Sequence, residues 1–204
     1  MHNREPLLLP TVLLLLSIGT LVAGHMAARY GLFWPRRLLA PRPPGIILHH
    51  SASPAKEGGR QVDAALIDRW HARRGWGMQG PDGEIHHIGY HYVILADGTV
   101  EPGRPEWMTG AHCRGHNDHL GICVVGNFSS SANPHGAAGP RRPTPAQLEA
   151  LHHLLCDLCI KYHLQPGAVR RHRDVGATAC PGDRFPYADV IRRLEKDDRL
   201  RRRR

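Results

Sequence analysis

Tyr92-Val93-Ile94-Leu95-Ala96-Asp97-Gly98-Thr99-Val100-Glu101 is the stretch that decides the architecture. An apolar, β-branched run, then Asp-Gly, then a second β-branched run is the pattern of a β-hairpin whose turn is the Asp-Gly pair. On either side of it lie Gly45-Ile46-Ile47-Leu48, ending at His49-His50, and Gly121-Ile122-Cys123-Val124-Val125. Both are short apolar runs that read as buried strands. Ala168-Val169-Arg170-Arg171 reads as another strand, leading to His172. Asp63 is a plausible N-cap for a helix to about Arg74, with Val62, Leu66 and Trp70 on one face. Thr144-Pro145-Ala146-Gln147 is a capping box with proline at the first helical position. Leu148, Leu151, Leu155, Leu158, Cys159 and Tyr162 then trace an apolar face to about residue 163. A last helix is expected from about Tyr187 to Lys196, and Ser129 to Pro143 reads as a surface loop. Strands and helices thus alternate irregularly around at least one hairpin. The expected class is mixed α/β, a central mixed β-sheet flanked by helices.

The net charge of +9 over 204 residues invites a nucleic-acid partner, but its distribution argues otherwise. Residues 1–42 carry five Arg against one Glu, and residues 199–204 carry five Arg. The stretch 43–198 holds 17 basic and 17 acidic residues, so the folded body is neutral. A basic groove tracking phosphates has no support in such a body, and no nucleic-acid partner is expected. Residues 197–204 are expected to form a basic, disordered tail, with attraction to anionic lipid or cell-wall polymer as the functional alternative.

From Pro6 to Ala28 there are 23 residues without Asp, Glu, Lys or Arg, apolar all round. Roughly 20 such residues suffice for a helix to cross a bilayer. Residues 1–34 are therefore expected to be a membrane anchor, with a cleavable signal peptide as the alternative. Pro35 to Gly45 contains four prolines and reads as a stiff, extended linker. The domain proper is expected over 46–196, in a chain that acts as a monomer.

Five cysteines exclude a pure disulfide framework. Cys156 and Cys159 fall on a helix and read as small apolar residues, and Cys113 and Cys123 read as buried thiols. Of sixteen histidines most must be bland. His152 and His153 are expected to be exposed or on the helix flank, and His86, His87, His119, His135 and His163 on the surface. His49 and His172 differ, because each ends a predicted strand where side chains project into a shared cleft. Cys180 follows His172 through a loop able to fold back toward it. Two imidazoles and a thiolate suit a tetrahedral zinc ion with one position open to water. Spacing alone leaves that site undecided, since His-x7-Cys is not a specific pattern.

Longer motifs occur in order. They include Leu48-His49-His50-Ser51-Ala52-Ser53, Arg69-Trp70-His71-x-x-Arg74-Gly75-Trp76 and Gly89-Tyr90-His91-Tyr92. Asp97-Gly98-Thr99-Val100-Glu101-x-Gly103-Arg104, Gly110-Ala111-His112 and Gly115-x-Asn117 follow. Leu120 to Phe128 and His172-Arg173-Asp174-Val175-x-x-Thr178-x-Cys180-Pro181-Gly182 complete the set. Together they resemble the zinc-dependent N-acetylmuramoyl-L-alanine amidases, the superfamily that includes phage amidase lysozymes and peptidoglycan recognition proteins. The resemblance spans about residues 45–195. It implies Zn2+ held by His49, His172 and Cys180, Tyr90 assisting at the water, and peptidoglycan or muropeptide as substrate. Thr178 falls where phage members carry a catalytic lysine and recognition proteins carry threonine, so it implies an orienting hydroxyl rather than a proton donor. His112 and Asn117 match a loop that lines the substrate groove in relatives; turn stabilisation is their alternative role. Gly80 to His87 is an insertion relative to compact phage members.

The resemblance implies hydrolysis of the amide between N-acetylmuramic acid and L-alanine. A non-catalytic peptidoglycan receptor on the same fold is the rival, disfavoured because relatives of that kind replace the zinc cysteine. A peptidoglycan substrate places the domain in the periplasm, tethered to the inner membrane. Arg29, Arg36, Arg37 and Arg42, downstream of the apolar segment, would by themselves favour the opposite orientation.

Overall fold

The computed structural model of the chain describes residues 42–80 and 83–202. The expected anchor, most of the linker and the last two arginines lie outside the described residues. Among those described, no helix is long and apolar enough to cross a membrane.

The sheet has five strands: β1 (Ile46–His50), β6 (Tyr92–Ile94), β7 (Val100–Pro102), β8 (Leu120–Val124) and β9 (Val169–Arg171). Their order is β7-β6-β8-β1-β9, so β1 lies between β8 and β9. It runs parallel to both, as β6 does to β8, and only β6 and β7 pair antiparallel. The sheet is therefore mixed, as the hairpin implied. At the turn, Leu95 N–H donates to Thr99 O and Gly98 N–H to Leu95 O. Two small ribbons complete the strands: β2 (Lys56–Glu57) with β3 (Arg60–Gln61), and β4 (Met78–Gln79) with β5 (Ile85–His86). Of the second ribbon, β5 falls within the Gly80–His87 stretch and β4 just before it.

Helices cover both faces. On one, α2 (Pro145–Tyr162), α3 (Tyr187–Glu195) and α4 (Asp198–Arg201) pack against Ile46, Leu48, Ile94, Ile122 and Val124. The capping box of α2 is present: Thr144 accepts from Gln147 N–H while the Gln147 side chain accepts from Thr144 N–H. Leu151, Leu155, Leu158 and Cys159 are buried on the expected face, and Cys156 joins them. On the other face, α1 (Ala64–Ala72), capped by Asp63, covers Val93, Cys123 and Val125. Its buried residues are Ile67 and His71, whereas Leu66 and Trp70 are only partly covered.

Residues past 196 do not all form a tail: Asp197 caps α4, and Leu200 is buried in the core. The 129–143 segment is also more than surface loop. Asn133 is 1% exposed, donates to Asn127 O and Gly139 O, and accepts from Ala138 N–H.

Candidate metal centre and active site

Residues alternate across β1, so Ile46 and Leu48 enter the α2 side while His49 points to the α1 side, level with Cys123. His49 lies near the carboxyl end of β1, an interior strand of the sheet, and is 1% exposed. β9 carries the chain to His172, which opens a 3-10 turn, His172–Asp174. The following loop then turns back: Arg173 N–H donates to Cys180 O at 2.9 Å, and Cys180 N–H to Thr178 Oγ1 at 3.2 Å. Gly182 anchors that loop. It has φ +98, and a Cβ there would sit 2.4 Å from the Phe128 carbonyl carbon.

The ligand atoms of His49, His172 and Cys180 consequently lie within 4.8 Å of one another. The His49 and His172 rings are 4.6 Å apart, and Cys180 Sγ is 3.6 Å from His49 Nδ1. In tetrahedral zinc, bonds of about 2.3 Å to sulfur and 2.0 Å to nitrogen set S···N near 3.5 Å. The donor set fits the ion.

His112 supports this centre. Its Nε2 is 3.0 Å from His119 O, a pure acceptor, so Nε2 carries the proton and Nδ1 is left to accept. His49 Nε2 lies 3.0 Å from that Nδ1 and must be the donor. The His49 proton is thereby placed on Nε2, leaving the Nδ1 lone pair facing Cys180 and available for a metal. Burial lowers the His112 imidazole to about 3, with His119 O opposing, so it is neutral at ordinary pH. Burial, then the neighbouring His112, His172 and His50, likewise lowers His49, and burial lowers His172. Neutral imidazoles are the form that binds a metal. The cradle for His112 is made of glycines: a Cβ on Gly110 or Gly121 would lie 2.5 Å from its ring. His112 thus meets the site from behind, at 8% exposure. Asn117 accepts from His112 N–H and Cys113 N–H, both at 2.9 Å, which stabilises the turn beneath that ring.

The Tyr90 ring is 5.1 Å from the His49 ring. Burial, then the adjacent Cys123 and Cys180 sulfurs, pushes its phenol well above the usual range, so Tyr90 remains a donor. Burial pushes the Cys180 thiol up to about 12, opposed by His50 N–H, which donates to its sulfur at 3.4 Å. Thr178 is exposed, with its oxygen committed to Cys180 N–H.

Several buried polar residues escape sequence reasoning. His119 is 6% exposed and so is not the surface residue expected, and His152, expected to be exposed or on the helix flank, is 8% exposed. His91 Nδ1 accepts from Gly121 N–H, His71 Nδ1 from Gly89 N–H, and His50 Nδ1 from Phe128 N–H. Arg104, 2% exposed, donates to Ile88 O, Thr109 O and His86 O, tying the segments on both sides of Tyr90. Only the motif Gly103-Arg104 hinted at it. All five cysteines are free.

A mixed five-stranded sheet with this cluster at the end of an interior strand has the features of the amidase and peptidoglycan-recognition class. The sequence profile of the N-acetylmuramoyl-L-alanine amidase family matches residues 39–183. The endolysin of Klebsiella phage KP32 is 37% identical over 138 residues, covering 67% of this chain and 78% of that protein. The endolysin of Escherichia phage T7 is 36% identical over the same shares. Among solved structures, the N-acetylmuramoyl-L-alanine amidase LysC from Clostridium intestinale superposes with a TM-score of 0.60 at 33% identity, over 76% of this chain and 87% of that one. The chain belongs to the N-acetylmuramoyl-L-alanine amidase family.

Proposed function

We propose that the domain hydrolyses the amide joining N-acetylmuramic acid to L-alanine in peptidoglycan, using zinc held by His49, His172 and Cys180. The observation that carries this is the convergence of those three donors within 4.8 Å, with the His49 lone pair turned toward them. Zinc bound there supplies Lewis acidity and a nucleophile at neutral pH. The chain's own residues do the rest. His112 holds the His49 ring and its tautomer. Tyr90 offers a protonated phenol to the oxyanion that develops on the scissile carbonyl. Thr178 holds the Cys180 amide and so orients the thiol. His112 and Asn117, taken from the family resemblance as groove residues, act here by shaping the loop behind His49.

The reading is tested by incubating the full chain with cell-wall sacculi, with and without a chelator. Chelator-sensitive release of stem peptides is expected. Binding without release would favour the receptor alternative, and metal-independent release would remove zinc. For the apolar segment 6–28 we propose a tether that holds the domain at the periplasmic face of the inner membrane. Protease accessibility in spheroplasts tests the orientation, and a protected domain would overturn it.

A further inference from the structure

The opposite face of the sheet carries a second set of metal-ligating side chains. His152 and Cys156 are one turn apart on α2, so both project to the same side. Asp197, in the turn between α3 and α4, meets them. Their ligand atoms all lie within 4.8 Å of one another. His152 Nε2 is 3.0 Å from Asp197 Oδ2 and 3.8 Å from Cys156 Sγ. A tetrahedral zinc ion sets N···O near 3.3 Å and S···N near 3.5 Å, from bonds of about 2.0 and 2.3 Å. The observed N···O separation is shorter and the S···N separation longer than those values, each by about 0.3 Å. Cys156 is fully buried, while the His152 and Asp197 side chains are 10% and 12% exposed, so an ion would enter past them.

We propose that His152, Cys156 and Asp197 form a second site for a thiolate-binding divalent cation such as zinc, with three protein donors and the fourth position left to water, fastening the α3–α4 turn to α2. On binding, the Cys156 thiol gives up its proton, and the His152 proton moves from Nε2 to Nδ1, freeing the lone pair. About one proton leaves per ion. One thiolate and one carboxylate balance a divalent charge. Arg199 is the competing cation: its Nε lies 3.1 Å from Asp197 Oδ1 and its Nη2 3.3 Å from Oδ2. Its backbone N–H also donates to Oδ1, at 2.9 Å. Oδ1 therefore keeps the arginine and Oδ2 turns to the ion, an outer-shell partnership of the kind that orients carboxylate ligands.

The test is metal stoichiometry of the purified full chain after gel filtration, measured by elemental analysis. Two zinc ions per chain are expected in the wild type, one in Cys156→Ser, one in Cys180→Ser and none in the double variant. Cobalt loading gives an independent readout. Cys180→Ser should retain a thiolate-to-cobalt charge-transfer band, and the double variant should lose it. His152→Ala repeats the loss if Cys156→Ser fails to fold. One zinc in the wild type with none in Cys180→Ser would overturn the proposal, as would two zinc ions in both Cys156→Ser and His152→Ala. Peptidoglycan hydrolysis should persist in Cys156→Ser, so failure at this site and failure of the amidase centre read out separately.

Discussion

Removing one oxygen from Tyr90 isolates its part in the chemistry. Tyr90→Phe should lower the rate of stem-peptide release by about 10²–10³, the usual cost of losing one oxyanion donor. Zinc content should be unchanged, since the phenol is not among the three metal-binding donors, and elemental analysis alongside the rate assay checks both. At His112 the expected change is in the metal instead. His112→Ala takes the acceptor from His49 Nε2, and zinc affinity should weaken by roughly 10–100-fold, as it does when the group that holds a ligating imidazole is removed. A chelator competition titration measures it, and unchanged affinity would remove the supporting role. At this scale the sequence showed the ligands but not their support. His49, His172 and Cys180 stand in motifs that recur in order. What His112 does depends on two glycines, Gly110 and Gly121, that leave room for its ring. That space exists only once distant segments meet, so His112 looked like a groove residue and His119 like a surface one.

Elements were legible in proportion to how much local chemistry defines them. Thr144 and Gln147 make α2 readable, because a capping box satisfies its backbone donors within four residues. Thr144→Ala should therefore cost about 1 kcal/mol of unfolding free energy, measured by denaturant titration with an unchanged m-value. The β6–β7 hairpin was equally readable from Asp97-Gly98. By contrast β2–β3 and β4–β5 have two residues per strand, too few for any alternation to show. The short helix α4 was hidden among arginines, its single buried side chain, Leu200, giving no period. Gly182 belongs here too. Gly182→Ala should destabilise the Cys180 loop through both strained φ and collision with Phe128. Weaker zinc retention on dialysis is the measurement, and full retention would show that the loop accommodates the methyl.

For the whole molecule, an ion binding only the folded state adds stability by mass action. At a free concentration a hundred times its dissociation constant that is about 2.7 kcal/mol. In a domain of this size the midpoint of thermal unfolding should fall by roughly 5–10 °C on chelation, read by calorimetry. No shift would mean that no cation is held in the native state. The amidase centre itself is a long-range construction. His49 sits on the interior strand β1, and its sulfur partner lies 131 residues later in the chain. During synthesis at about 5–20 residues per second, roughly 7–26 s separate the emergence of the first donor from that of the last. Until β9 docks beside β1, a ribosome-bound chain holds an incomplete set of ligands. On the proposed reading the centre is therefore without one of its three donors while the chain is nascent, and a fragment ending before Cys180 should bind no zinc at His49 and His172 and release no stem peptides.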